Sequence, residues 1–123
     1  MTYHQAESIT TQIGDFQQEG DGAWLCYYRY DNRDLDLIVS DVNGRPSPTQ
    51  VSALIQLLPG LPRYEAKCRE LISEIEDHEF CGVCFDSQCD FQLVFDWGNG
   101  EWGRDVFIDF VNDEIVGTKI LSD

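Results

Sequence analysis

The chain has 123 residues, with 23 Asp and Glu against eight Lys and Arg, a net charge of −15 at pH 7 with histidine neutral. A hydrophobic content of 42 % excludes a disordered composition, and the length is that of one domain able to bury roughly two-thirds of its unfolded surface. A field of this sign repels phosphate backbones and anionic headgroups. It speaks against direct nucleic-acid or membrane binding and favours a basic protein partner or a cation.

Residues 1–15 are polar and weakly patterned, so fraying is expected over them, with Ile9, Thr10, Thr11 and Ile13 able to form a short edge strand. The first clear element is the aromatic run from Ala23 to Tyr30, which places Trp24, Cys26, Tyr28 and Tyr30 on one face by the two-residue period of a strand. A turn at Asp31-Asn32-Arg33 returns the chain into Leu35–Val39, giving a hairpin. After a turn at Asn43-Gly44, Ser47-Pro48-Thr49-Gln50 opens a helix. Ser47 is the cap, Pro48 needs no N–H at the first position, and Gln50 completes a capping box.

Pro59-Gly60-Leu61-Pro62 is expected to end that helix. A second helix is expected from about Arg63 to Asp77, burying Tyr64, Cys68, Leu71, Ile72 and Ile75 and exposing Glu70 and Glu74. The last third reads as a three-stranded meander. Asn99-Gly100 would pair Leu93 with Val106 and Phe91 with Ile108 in a two-residue hairpin, leaving Gln92, Val94, Asp96, Asp105, Phe107 and Asp109 on the other face. Asn112-Asp113 makes the next turn. Strands and helices in blocks predict an α+β fold: an antiparallel sheet of hairpin plus meander, covered on one face by a pair of helices.

Five cysteines, an odd number, argue against a closed disulfide framework, and no apolar leader precedes them. Reduced thiols in a cytoplasmic protein are the expectation. His78, Cys81, Cys84 and Cys89 have spacing compatible with a tetrahedral zinc site. Against zinc, Cys behaves as a small hydrophobe at a strand, where alternation sends Cys81 and Val83 to one face and Cys84 to the other. No nucleophile elbow, phosphate loop or calcium-loop spacing occurs, so no catalytic residue is assigned and an enzyme is not expected.

The segments GRPSPTQVSALIQLL and FQLVFDWGNGEWGRDVFIDFVNDEIVGTKIL resemble a loose group of small bacterial proteins. In that group a hairpin leads into a helix and a Trp-containing meander ends the chain. Such small acidic proteins are similar to immunity proteins, which bind and block a partner toxin. The resemblance implies binding without catalytic residues. The expected function is an immunity-type inhibitor of a basic toxin such as a nuclease. The alternatives are a zinc-binding regulator using His78, Cys81, Cys84 and Cys89, and an acidic DNA-mimic anti-restriction protein. Residues 65–123 carry fifteen acids against four bases, so the partner is expected on the second helix and the meander. Its contacts would be Glu70, Glu74, Asp96, Trp97, Trp102, Asp105 and Asp109.

Overall fold

The computed structural model describes residues 8–20, 22–96 and 105–121. Its strands are β1 (Ser8–Thr10), β2 (Asp15–Glu19), β3 (Ala23–Tyr30), β4 (Arg33–Val42), β5 (Arg45–Pro46), β6 (Glu79–Cys84), β7 (Phe91–Asp96), β8 (Asp105–Val111) and β9 (Glu114–Leu121). Helices α1 (Pro48–Leu57) and α2 (Leu61–Leu71) lie between β5 and β6. The fold is α+β around one nine-stranded sheet, in the order β1-β2-β3-β4-β6-β7-β8-β9 with β5 paired to β4.

Two antiparallel meanders, β1–β4 and β6–β9, meet at a parallel β4–β6 pair. The antiparallel-only expectation is therefore corrected to a mixed sheet. The reason is connectivity: a hairpin can only reverse a strand, whereas the long excursion through the helices lets β6 enter in the direction of β4. Residues 8–15 are not a frayed lead-in. They build β1 and its turn, where Thr11 Oγ1 accepts from the Ile13 and Gly14 amides at 3.2 and 3.4 Å, and they lead into Phe16, which is fully buried.

Three turns carry the left-handed backbone that Asn and Asp tolerate: Asp31-Asn32, Asn43-Gly44 and Asn112-Asp113 all have positive φ. They set the registers Tyr30↔Arg33, Val42↔Arg45 and Val111↔Glu114. In the β7–β8 pair, Leu93 faces Ile108 and Phe91 faces Phe110, two residues away from the register of an Asn99-Gly100 loop. Because side chains alternate with period two, a two-residue offset leaves every face assignment intact. The Asn99-Gly100 turn itself lies outside the described residues.

The helices are one helical run rather than a broken pair. Leu58–Gly60 tightens into a single 3-10 turn and the chain resumes α-helix at Leu61. Pro59 and Pro62 fall within the first two positions of their helical segments, where a missing N–H costs little. Ser47 caps α1 as expected, accepting from the Gln50 amide at 3.2 Å. The Gln50 side chain does not close a capping box. It reaches β4, accepting from the Ser40 amide at 2.7 Å, while the Ser47 amide donates to the Ser40 carbonyl at 2.8 Å. The helix start is thus pinned to the sheet.

α2 ends earlier than expected, because Ile72 turns extended (φ −118°, ψ 102°). Leu71 is left outside, at 63 % exposure. That exit drops Ile75 fully into the core. It also lets Arg69 hold the chain end, donating to the Ile75 and His78 carbonyls at 3.3 and 3.1 Å with its guanidinium 5.2 Å from the Phe95 ring centre.

The helical run buries Leu54, Leu57, Leu58, Leu61, Tyr64 and Cys68 in one cluster with Trp24, Leu35, Leu37, Phe80, Leu93, Phe95, Ile108 and Phe110 from the sheet. All the helical cover is on this side. Among the described residues no helix is long and apolar enough to cross a membrane.

The β4–β6 seam is close. A β-carbon on Gly82 would stand 2.7 Å from the Asp36 carbonyl oxygen, a backbone atom with little freedom to retreat. Gly82→Ala is expected to lose about 1–3 kcal/mol of stability through this overpacking, read as a lower urea midpoint at unchanged slope.

Candidate functional site

The face of the sheet turned away from the helices carries its own row of side chains. Cross-strand partners run Tyr27, Asp36, Gly82, Val94, Phe107 and Lys119 from β3 to β9. Gly82 contributes nothing at the centre of that row, so a hollow of about 240 Å³ opens above it. Ile38, Val94 and Phe107 form apolar walls, and Asp36, Asp96 and Asp105 bring three carboxylates to its lining. A wider hollow of about 500 Å³ adjoins it through Cys81 and Asp96 and extends to Asp31, Asp34 and Glu79 at the sheet end.

Cys81 is present in this hollow because of a bulge. The β6–β7 register shifts between Phe80 and Gly82, leaving Cys81 as the extra residue. Simple alternation, which separates Cys81 from Cys84, is overturned: both line the hollow, the Cys81 thiol hydrogen-bonds the Asp96 side chain, and Val83, though it borders the hollow, is fully buried. The Cys81 thiol is pushed above its usual range, first by burial and then by Asp96, Asp105 and Asp36. Burial, followed by Cys89, Asp86 and Asp109, pushes Cys84 up to about 12. Neither thiol is poised as a nucleophile or a redox centre. Asp36 is itself raised, first by burial and then by Glu19, Asp96 and Asp34. Each added negative charge around the hollow makes the next ionisation harder.

Beside the hollow lies a second polar group that the protein satisfies from within. Cys84 Sγ donates to Gln92 Oε1 at 3.2 Å, and Gln92 Nε2 donates to Asp109 Oδ1 at 2.7 Å. Lys119 Nζ stands 3.9 Å from Asp109 Oδ2 and 3.6 Å from Asp86 Oδ2. Asp109 is only 8 % exposed. Its carboxylate is engaged within the chain.

The zinc constellation does not assemble. His78 lines a hollow with Glu74, Val106 and Ile120 on the helix side, whereas Cys81 and Cys84 open on the bare side. Cys89 Sγ lies 3.9 Å from the Asp86 carbonyl. Among the described residues, no group of three His, Cys, Asp or Glu side chains is placed to hold a metal ion.

The expected partner contacts fall on two different surfaces. Glu70 and Glu74 belong to the helix side, near the exposed Leu71. Asp96 and Asp105 belong to the bare sheet face. Trp97 and Trp102 lie outside the described residues. Sequence reasoning missed Asp36, because residues 1–64 carry the smaller share of charge and no local pattern sets which strand lies beside β4. The β4–β6 pairing inserts Asp36 among the carboxylates of the second half. Tyr27, 63 % exposed at one end of the row, lies opposite the alternating Trp24–Tyr30 face, as the period of two implies.

The chain matches no protein-family model, no curated protein and no solved structure.

With Cys84 near 12 against an ordinary 9.0, its thiolate fraction at pH 8 falls by about a thousandfold. Iodoacetamide at that pH is expected to label Cys81 and Cys84 far more slowly in folded protein than in urea, as followed by peptide mass spectrometry. The same shifts have a stability sign. Cys68 and Cys84 keep their protons when folded and lose them first when unfolded, so their contribution is full below pH 9 and drains away as pH rises from about 9 to 12. The urea midpoint should decline across that window.

Proposed function

We propose that this chain is a non-enzymatic binding protein for a basic protein partner, acting as an immunity-type inhibitor of a basic toxin such as a nuclease. The observation that carries the reading is the bare sheet face. Among the described residues the helices cover one side of the sheet, and the other is hollowed and lined with Asp36, Asp96 and Asp105, which supports a cationic partner there. The net charge of −15 supports the same reading. It would steer a cationic partner toward the protein and speed encounter, with a strong dependence on ionic strength. A nuclease cleft, shaped to hold phosphates, is basic by necessity, and an acidic plug would occlude it.

The test is co-purification from the native cell at low ionic strength, followed by elution with salt. The expected partner has a basic surface, is held at about 0.05 M salt and is released by about 0.5 M, where screening shortens to a few ångströms. Expressed alone, that partner should be toxic or nucleolytic, and an equimolar amount of this chain should suppress it. Retention that ignores salt, or a retained partner whose activity is unaffected, would overturn the reading.

A further inference from the structure

The sheet has two ends, and they differ. β1 spans Ser8–Thr10, whereas β9 runs over the eight residues Glu114–Leu121 and among the described residues pairs with β8 alone. A strand so placed turns a row of backbone N–H and C=O groups outward, a template for another strand. We infer that β9 is a self-association edge, pairing antiparallel with β9 of a second copy of this chain about a two-fold axis at Gly117. The inference goes beyond the basic-partner reading and does not rest on it.

Charge selects the occupant. At −15, two copies repel each other over most of their surface. β9 holds one acid, Glu114, and one base, Lys119, so the strand itself carries no net charge. Exposed aliphatics accompany them: Val116 is 59 % and Ile120 is 47 % exposed. A like copy can therefore approach along β9 without the repulsion that guards a charged edge.

A bulge in β9 selects the register. Against β8, Lys119 pairs with Phe107, Gly117 with Asp109 and Glu114 with Val111. Phe107, Asp109 and Val111 alternate along one face, so Lys119 and Glu114 stand two ladder positions either side of Gly117 on that same face. Val116 is the extra residue that makes the spacing equal; without it Glu114 would fall on the opposite face. A two-fold axis perpendicular to the sheet at Gly117 then sets Lys119 of each copy opposite Glu114 of the other. Both pairs are direct cross-strand neighbours of opposite charge, the favourable case. Moving the axis by one position sets Lys119 or Glu114 opposite Gly117 and loses both pairs. Lys119 has capacity for this contact: it stands 3.6 Å from Asp86 Oδ2 and 3.9 Å from Asp109 Oδ2, with 50 % of its side chain exposed.

The deciding experiment is sedimentation of the full chain, up to millimolar concentration, at about 0.05 M and about 0.5 M salt, with amide hydrogen exchange mapped alongside. The expected species is a dimer that tightens with salt, because screening weakens the repulsion between like-charged copies. That sign is opposite to the salt release expected of a basic partner. Amide protection should rise with concentration within residues 114–121. Glu114→Lys should weaken the dimer about fivefold or more by setting like charges opposite each other, even though it lowers the net charge. Glu19→Lys, at an exposed position on β2, makes the same change of charge away from β9 and should leave the dimer as tight or tighter. The amide spectrum of each variant verifies its fold. A chain that stays monomeric at the higher salt would overturn the proposal and leave the edge to a strand of another protein. A dimer indifferent to Glu114→Lys, or one protected outside residues 114–121, would overturn this edge. A series of larger oligomers would point to β9 on β1 of the next copy and overturn the two-fold arrangement.

Discussion

Between Asp36-Leu37 on β4 and Gly82-Val83 on β6, two backbones run parallel and join the halves of the molecule. Each half is an antiparallel meander that satisfies its hydrogen bonds between consecutive strands. Only this seam makes them one sheet. Parallel neighbours demand a crossover, and the crossover is the helical run from Pro48 to Leu71. That run lies over one face and buries Leu54, Leu61 and Cys68 against the sheet; among the described residues no helix covers the opposite face. The seam also tolerates only glycine at position 82 without displacing the Asp36 carbonyl. The missing side chain that permits the approach is the same one that opens the hollow. Fold, bare face and cavity therefore follow from one constraint.

The bare face holds two polar groups of opposite character. Around Asp109, each charge finds its complement within the chain: an amide from Gln92, an ammonium from Lys119. Around Asp36, the neighbours that raise its pKa are burial and further carboxylates. Folding gathers Asp36, Asp96 and Asp105 from three strands against their mutual repulsion. Residues that look alike in the sequence, Asp105 and Asp109 among them, thus divide by burial: Asp109 is buried beside Gln92 and Asp105 is exposed.

How much of this was legible depends on the range of the interaction. Asp31-Asn32, Asn43-Gly44 and Asn112-Asp113 each take positive φ as local turn chemistry dictates. The Trp24/Cys26 and Leu35/Leu37/Val39 faces follow from alternation, and the Phe91–Phe95 faces survive a two-residue change of register. Ser47 capping was readable because donor and acceptor lie three residues apart. The destination of the Gln50 side chain was not, because its partner Ser40 sits on another element. The bulge at Cys81 was equally hidden. It arises from the fit of β6 between two neighbours, and it moved a thiol to the face where alternation denied it a place.

By itself the sequence determined the α+β class, the hairpins, the apolar faces and the acidic excess, since each is set by residues close along the chain or by composition. Only the tertiary structure decided that the sheet is mixed, that α1 and α2 form one run, that His78 parts from the cysteines, and that Asp36 joins Asp96 and Asp105. Those outcomes turn on which strand lies beside which. Strand order rests on the summed packing of side chains distant in sequence, and no local pattern encodes that sum.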